Sequence, residues 1–141
     1  MATKGYSTYL QNKMQDHLHG VASYSAPANV YFALFSVAPT EAGGGTEATG
    51  SGYSRKTVAN TGTNWNTSSS GHVDNKTAIT MATATGDWST GSNQVAWATF
   101  DDPTAGNMLE FGPLTTPKPV LNGDTPEYAI GALGSTIQAT S

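Results

Sequence analysis

The chain has 141 residues, a formal net charge of −4, only 11% charged residues and no cysteine. That length suits one domain able to bury a substantial core, and the missing cysteines exclude disulfides, thiolate metal sites and cysteine nucleophiles, consistent with synthesis in a cytoplasm. The six basic residues are scattered, with only Arg55 and Lys56 adjacent, so no phosphate-binding stripe and no nucleic-acid partner is expected.

Small neutral residues take the place of charge: 21 Thr, 13 Ser and 16 Gly. Threonine is β-branched and suits strands, while Gly, Ser and Asn suit turns, so short strands with explicit turns are expected. The opening Met1-Ala2-Thr3-Lys4-Gly5-Tyr6 has no apolar stretch after its lysine and does not read as a signal peptide. Residues 7–18 read as the one helix. Ser7 can cap it, Leu10, Met14 and Leu18 recur at four-residue spacing, and Gly20 stands where a C′ glycine belongs. A helix this short is marginal alone and must dock on something.

After Pro27 the period changes to two. In residues 29–37, Val30, Phe32 and Leu34 point one way and Tyr31, Ala33, Phe35 and Val37 the other. Both faces are apolar, so this strand is expected to be covered on both sides. Its apolar run, 30–37, is far below the ~20 residues that span a bilayer, so no membrane partner is expected. A glycine-rich stretch follows, Gly43-Gly44-Gly45 through Gly50-Ser51-Gly52. Further strands are expected over residues 53–60, 76–83, 94–100, 107–114, 118–121, 127–132 and 135–140, with 61–71 as loop. The 118–121 strand is flanked by proline, as an edge strand would be. Turn signals stand at Thr90-Gly91-Ser92-Asn93, at Asp101-Asp102-Pro103 to Gly106, and at Asn122-Gly123-Asp124. Seven or eight short antiparallel strands at this spacing predict an all-β fold. The expected architecture is a single-domain β-sandwich or jelly roll over residues 27–141, with 1–20 as an N-terminal helical segment.

Several motifs invite a chemical reading. His17, His19 and His72 could ligate a metal, but positions two apart on a helix do not face one another, so no metal or other cofactor is expected. Asp101 and Asp102, with Asp87 or Glu110, could form a calcium site or an acid pair; Asp-Asp-Pro is read first as turn chemistry, and no pair facing across a cleft stands out. Gly43-Gly44-Gly45-Thr46 lacks the Lys-Ser/Thr end of a phosphate loop and is read as a flexible excursion that reaches a neighbouring subunit. Trp65, Trp88, Trp97 and Tyr53 could form a sugar-binding platform. Trp97 is expected in the core, and Trp65, in a Ser/Asn/Thr loop, on the surface. Asn66-Thr67-Ser68 and Asn75-Lys76-Thr77 match a glycosylation pattern by chance.

The segment Tyr31-Phe32-Ala33-Leu34-Phe35-Ser36-Val37-Ala38-Pro39-Thr40-Glu41-Ala42-Gly43-Gly44-Gly45-Thr46-Glu47, with Gly50-Ser51-Gly52-Tyr53-Ser54-Arg55, resembles a family of small tailed-bacteriophage proteins usually labelled tail fibre proteins. Thr83-Ala84-Thr85-Gly86-Asp87-Trp88, Gly112-Pro113-Leu114-Thr115 and Asn122-Gly123-Asp124-Thr125-Pro126 are similar too, and the likeness covers nearly the whole chain. Residues 60–71 look extended against that pattern, and 94–98 unusually bulky. The resemblance implies a structural protein of the virion, synthesised in the bacterial host cytoplasm, and the lack of a catalytic constellation in the residues makes a non-enzymatic role the expectation. No fibre shaft, whether a heptad array or another repeat, is written in the sequence. In size, acidity and expected jelly-roll architecture the chain also resembles capsid decoration or cement proteins, and that resemblance implies, as the first expectation, docking on the major capsid protein or other virion proteins as a homo-oligomer, by preference a trimer. A tail fibre or tail-tip component that recognises the host surface, with a host glycan as partner, is the second. Gly43, Gly44, Gly45, Tyr53, Arg55 and Trp65 are the expected interface residues.

Overall fold

A computed structural model describes residues 5–136; the opening Met1 to Lys4 and the last part of the strand expected over 135–140 lie outside the described residues. The helix α1 (Thr8–Leu18) forms where its pattern placed it, with Ser7 as N-cap. The Ser7 hydroxyl accepts from the Leu10 N–H at 3.1 Å and donates to the Met108 carbonyl, while its own N–H donates to Leu109 O at 2.8 Å. One buried serine thus starts the helix and ties it to the sheet. Leu10 is buried and Met14 packs against the core. Leu18, expected on that same face, is instead 75% exposed: the last turn carries it past the core cluster.

The centre of the fold is β2 (Asn29–Val37). On one side it pairs antiparallel with β7 (Asn93–Phe100). On the other, its first half pairs with β4 (Lys56–Ala59) and its second half with β3 (Thr46–Glu47). Beyond β7 lies β8 (Met108–Pro119), and β1 (Gly5–Tyr6) closes that edge at Phe111 and Glu110. Both faces of β2 are buried, as its two-sided apolar pattern required. Val30, Phe32 and Leu34 join the main core; Ala33 and Phe35 join a second cluster with Ala96, Ala98, Met108 and Phe111.

The layer over the main core is built from two ribbons rather than a second continuous sheet. One pairs β5 (His72–Asp74) with β10 (Gly134–Thr136); the other pairs β6 (Ile79–Thr80) with β9 (Glu127–Tyr128). The all-β class with one helix is as the sequence implied, and the sandwich is lopsided. Expected strands over 53–60, 76–83 and 127–132 shrink to β4, β6 and β9. Phe32 sits at the middle of the core, with ring centroids 5.9 Å from Trp97, 6.0 Å from Tyr128 and 6.2 Å from Trp65. Gly112 lies across from Trp97, and a Cβ there would stand 3.0 Å from the indole, so only glycine lets the ring lie over β8.

The strands expected over 107–114 and 118–121 are one strand, β8. Its register against β7 shifts between Gln94 and Ala96: Ala96 faces Pro113 and Gln94 faces Lys118. The extra residues are absorbed as an irregularity, which lets a strand pass through prolines. Pro113, Pro117 and Pro119 punctuate its last part.

Candidate interaction surfaces

Tyr53 and Arg55 come together, around Glu47 of β3. Arg55 grips the Glu47 carboxylate with two nitrogens, Nε to Oε1 at 2.9 Å and an Nη to Oε2 at 2.8 Å. Its other Nη donates to the carbonyls of Asp102 and Ala105, each at 2.8 Å. The guanidinium lies 3.7 Å from the Phe100 ring centroid, and the Tyr53 hydroxyl donates to Glu47 Oε1 at 2.7 Å. Burial alone would raise the Glu47 carboxyl, but hydrogen bonds from Arg55 and Tyr53 and the arginine charge outweigh it and hold the group below its ordinary value. Burial, then the bond to Glu47, pushes the Tyr53 phenol up. With its side chain 7% exposed, Arg55 clamps an edge strand to the 101–107 turn. Its charged end is turned inward and held by groups of this same chain, which the sequence reading of Arg55 as an interface residue did not anticipate. A bidentate arginine over a ring is a fixed geometry that lysine would not reproduce.

The glycine stretch is not a free excursion either. Thr40 and Gly43 exchange backbone bonds at 3.0 and 2.9 Å, and Glu41 O accepts from the Thr8 N–H at 2.8 Å, which seats the loop on the start of α1. Gly43, Gly44 and Gly45 all have positive φ. At Gly45 a Cβ would stand 2.6 Å from Val37 O, so the turn back into β3 requires glycine.

Trp65 was expected on the surface. Its ring stacks on Phe32 at 21° and it bridges to Asn75, so it anchors the base of a hairpin. Trp88 and Trp97 are 0% and 3% exposed. The three tryptophans hold the core and form no common platform. Above Trp65, residues 66–74 make a hairpin that the polar sequence concealed. Ser69 and His72 exchange backbone bonds, both at 2.9 Å, around Ser70 and Gly71, both at positive φ; this is the two-residue turn whose twist suits paired strands. Its rim of Asn66, Thr67, Ser68, Ser69, Ser70 and His72 is exposed. The sole sequence signal was Ser70-Gly71.

The acidic residues serve turns. Asp102 accepts from the N–H groups of Thr104 and Ala105 at 2.9 and 2.8 Å, and these bonds hold its carboxyl below the usual range. Asp101 accepts from the N–H and side chain of Asn107, and Asp87 from the Asn122 N–H at 3.0 Å. Glu110 lies half-buried on β8. His17 accepts from the Tyr24 N–H, and His72 lies 3.9 Å from Asp74. Among the described residues, no three His, Asp or Glu side chains gather as a metal site would need. Asn75, in the second glycosylation match, is fully buried.

At the level of the chain, the family model described as Podophage GP4 fiber I protein gp80 matches residues 5–136. The chain belongs to this family. Members of a phage fibre family are virion-associated structural proteins, and this chain is one. The Gp80 match begins with β1 and ends with β10, so it takes in the whole sheet and both ribbons. No curated protein matches the chain.

Proposed function

We propose that this Gp80-family chain is a non-enzymatic fibre component of a podophage tail, which helps hold the particle against the host surface. The observation that carries this reading is the fibre description of a family that spans residues 5–136. It weighs toward the tail and away from the capsid decoration role that the sequence put first. A shaft needs a long repeat, and the described residues form a compact sheet backed by ribbons, so the chain is read as a globular head or joint on a shaft made by other subunits. The polar hairpin 66–74 supplies an exposed hydroxyl-rich rim suited to weak, repeated contacts, which gain strength when copies act together. At the far end of α1, Leu18 and Val21 are 75% and 74% exposed; they offer an apolar foothold for a neighbouring virion subunit or for a sister copy in a trimer.

Separating tails from capsids in a disrupted virion preparation and quantifying this chain in each tests the reading. A few to tens of copies per particle, all with tails, is the expected result. Hundreds of copies that follow the capsid protein would reject it and restore the decoration role.

A further inference from the structure

The chain between α1 and β2 is a strap fixed at both ends and latched once in the middle. At its start the Val21 and Ala22 N–H groups donate to Asp16 O at 2.9 and 3.3 Å. At its end Asn60 donates to the carbonyls of Pro27 and Ala28 at 3.1 and 2.9 Å. Residues 23–27 form neither helix nor strand. The one hydrogen bond found for residues 23–26 among the described residues runs from the Tyr24 N–H to Nδ1 of His17, at 3.1 Å. The Tyr24 ring packs against the main core. Tyr24, Ala26 and Pro27 wall a cavity of about 240 Å³ whose other side includes Leu10, Val30 and Leu109.

Nδ1 accepts here, so the neutral ring carries its proton on Nε2. A second proton would go to Nδ1, set two donors face to face and leave the Tyr24 N–H without its acceptor. The helix end pulls the other way. His17 stands in the last turn of α1, where the carbonyl end of a helix favours positive charge. The strap thus needs the ring neutral and the helix end favours it charged. Lys13 and Asp16 on α1 and His19 at its C-cap flank the ring in sequence. Tyr9 and, from the 101–107 turn, Asp101 act on the Tyr24 phenol, and Glu110 of β8 lines the cavity. Of these side-chain types only histidine ordinarily changes charge between pH 8 and 5. We propose that His17 is a pH-sensitive latch: neutral, it holds the strap 21–27 over the cavity; protonated, it lets the strap lift and bare the apolar wall beneath.

Amide exchange followed by NMR on the whole chain, divided by the intrinsic rate at each pH, reads the latch directly. From pH 8 to 5 the protection of the Tyr24 N–H should fall about fivefold, as loss of one hydrogen bond implies. The Gln11 N–H, bonded to Ser7 O inside α1, should keep its protection. Side-chain resonances of Leu10 and Val30 should shift with the same midpoint as the His17 ring. His17→Asn keeps an acceptor near the place of Nδ1 and removes the titrating group, so its Tyr24 protection should not depend on pH. His17→Ala should leave Tyr24 unprotected at every pH. Nitrogen NMR of the neutral His17 ring should find the proton on Nε2. A change in Tyr24 protection under about twofold, an acid effect that survives in His17→Asn, or a neutral ring protonated on Nδ1 overturns the proposal. Loss of Tyr24 protection with Leu10 and Val30 unmoved would mean that the bond breaks while the strap stays down, and overturns it as well.

Discussion

Asn75 offers the most demanding check on how the ribbons are held. It is fully buried, its side-chain N–H groups donate to Thr77 O and Ala129 O, both at 2.9 Å, and its Oδ1 accepts from the Leu133 N–H at 2.9 Å. Its backbone bonds Leu133 and Gly131 as well, so this one residue pins the turn that leads into β10. In Asn75→Ala the backbone bonds stay and three side-chain bonds go. The stranded Leu133 N–H is buried and costs about 1–3 kcal/mol, the two part-buried carbonyls less, for a sum of about 3 kcal/mol. At this chain length that is roughly a 10 °C fall in melting temperature. Asn75→Asp separates bonding from size. It keeps the acceptor for Leu133 but sets a carboxylate oxygen against two carbonyls, so its folded-state pKa must rise above the unfolded value. Such a group destabilises most where it would be charged and recovers as pH falls through the raised folded pKa toward the unfolded value. Thermal melts followed by circular dichroism at pH 7 and near pH 4 should place Asp below Ala at neutral pH and narrow or reverse that gap in acid. An Ala variant that costs under about 1 kcal/mol, or an Asp variant no worse than Ala at pH 7, would refute the reasoning.

Other outcomes follow from the same structure. Arg55→Ala leaves Glu47 paired only with Tyr53 and should cost about 2–4 kcal/mol in urea unfolding, discounted because the carboxylate side is partly exposed. Because the Glu47 pKa is lowered, the stability it lends is present above the ordinary carboxylate value and lost as pH falls through the lowered one; Glu47→Gln should flatten that acid limb in melts from pH 7 to 3. Gly45→Ala forces a Cβ against Val37 O and should cost about 2 kcal/mol or more by the same unfolding assay. Thr90 is exposed and sits at φ 53°, so Thr90→Gly should raise stability by about 1 kcal/mol, visible as a higher melting temperature.

Where the sequence carried a periodic apolar signal, the fold was legible. Ser7, Leu10 and Met14 placed α1, and the double alternation of β2 announced a strand buried on both faces. Leu18 obeyed the same spacing and still ended in solvent, because a helical pattern says which face is apolar and not how far the partner surface extends. The hairpin 66–74 was hidden because its side chains are polar on both faces, and its pairing is backbone chemistry around Ser70 and Gly71. β3 was hidden in a glycine stretch for a similar reason. The site residues divided along the same line. Tyr53 and Arg55 were singled out as interface residues, and only the folded chain reveals that Glu47 and the carbonyls of Asp102 and Ala105 claim the arginine. Trp65 in a loop of Ser, Thr and Asn looked exposed; Phe32, more than thirty residues away in sequence, takes one face of its ring.

The prolines of β8 bear on how such a protein survives its own abundance. A phage-infected cell makes virion proteins fast and at high concentration, and an open strand edge invites copies to join edge to edge without limit. Three of the last seven residues of β8, Pro113, Pro117 and Pro119, have no N–H to give a neighbouring strand, and the register shift beside them spoils any straight template. The long strand that completes the sheet therefore ends in a stretch that refuses further strands. On this side of the sheet, then, the chain offers a second copy little to pair with.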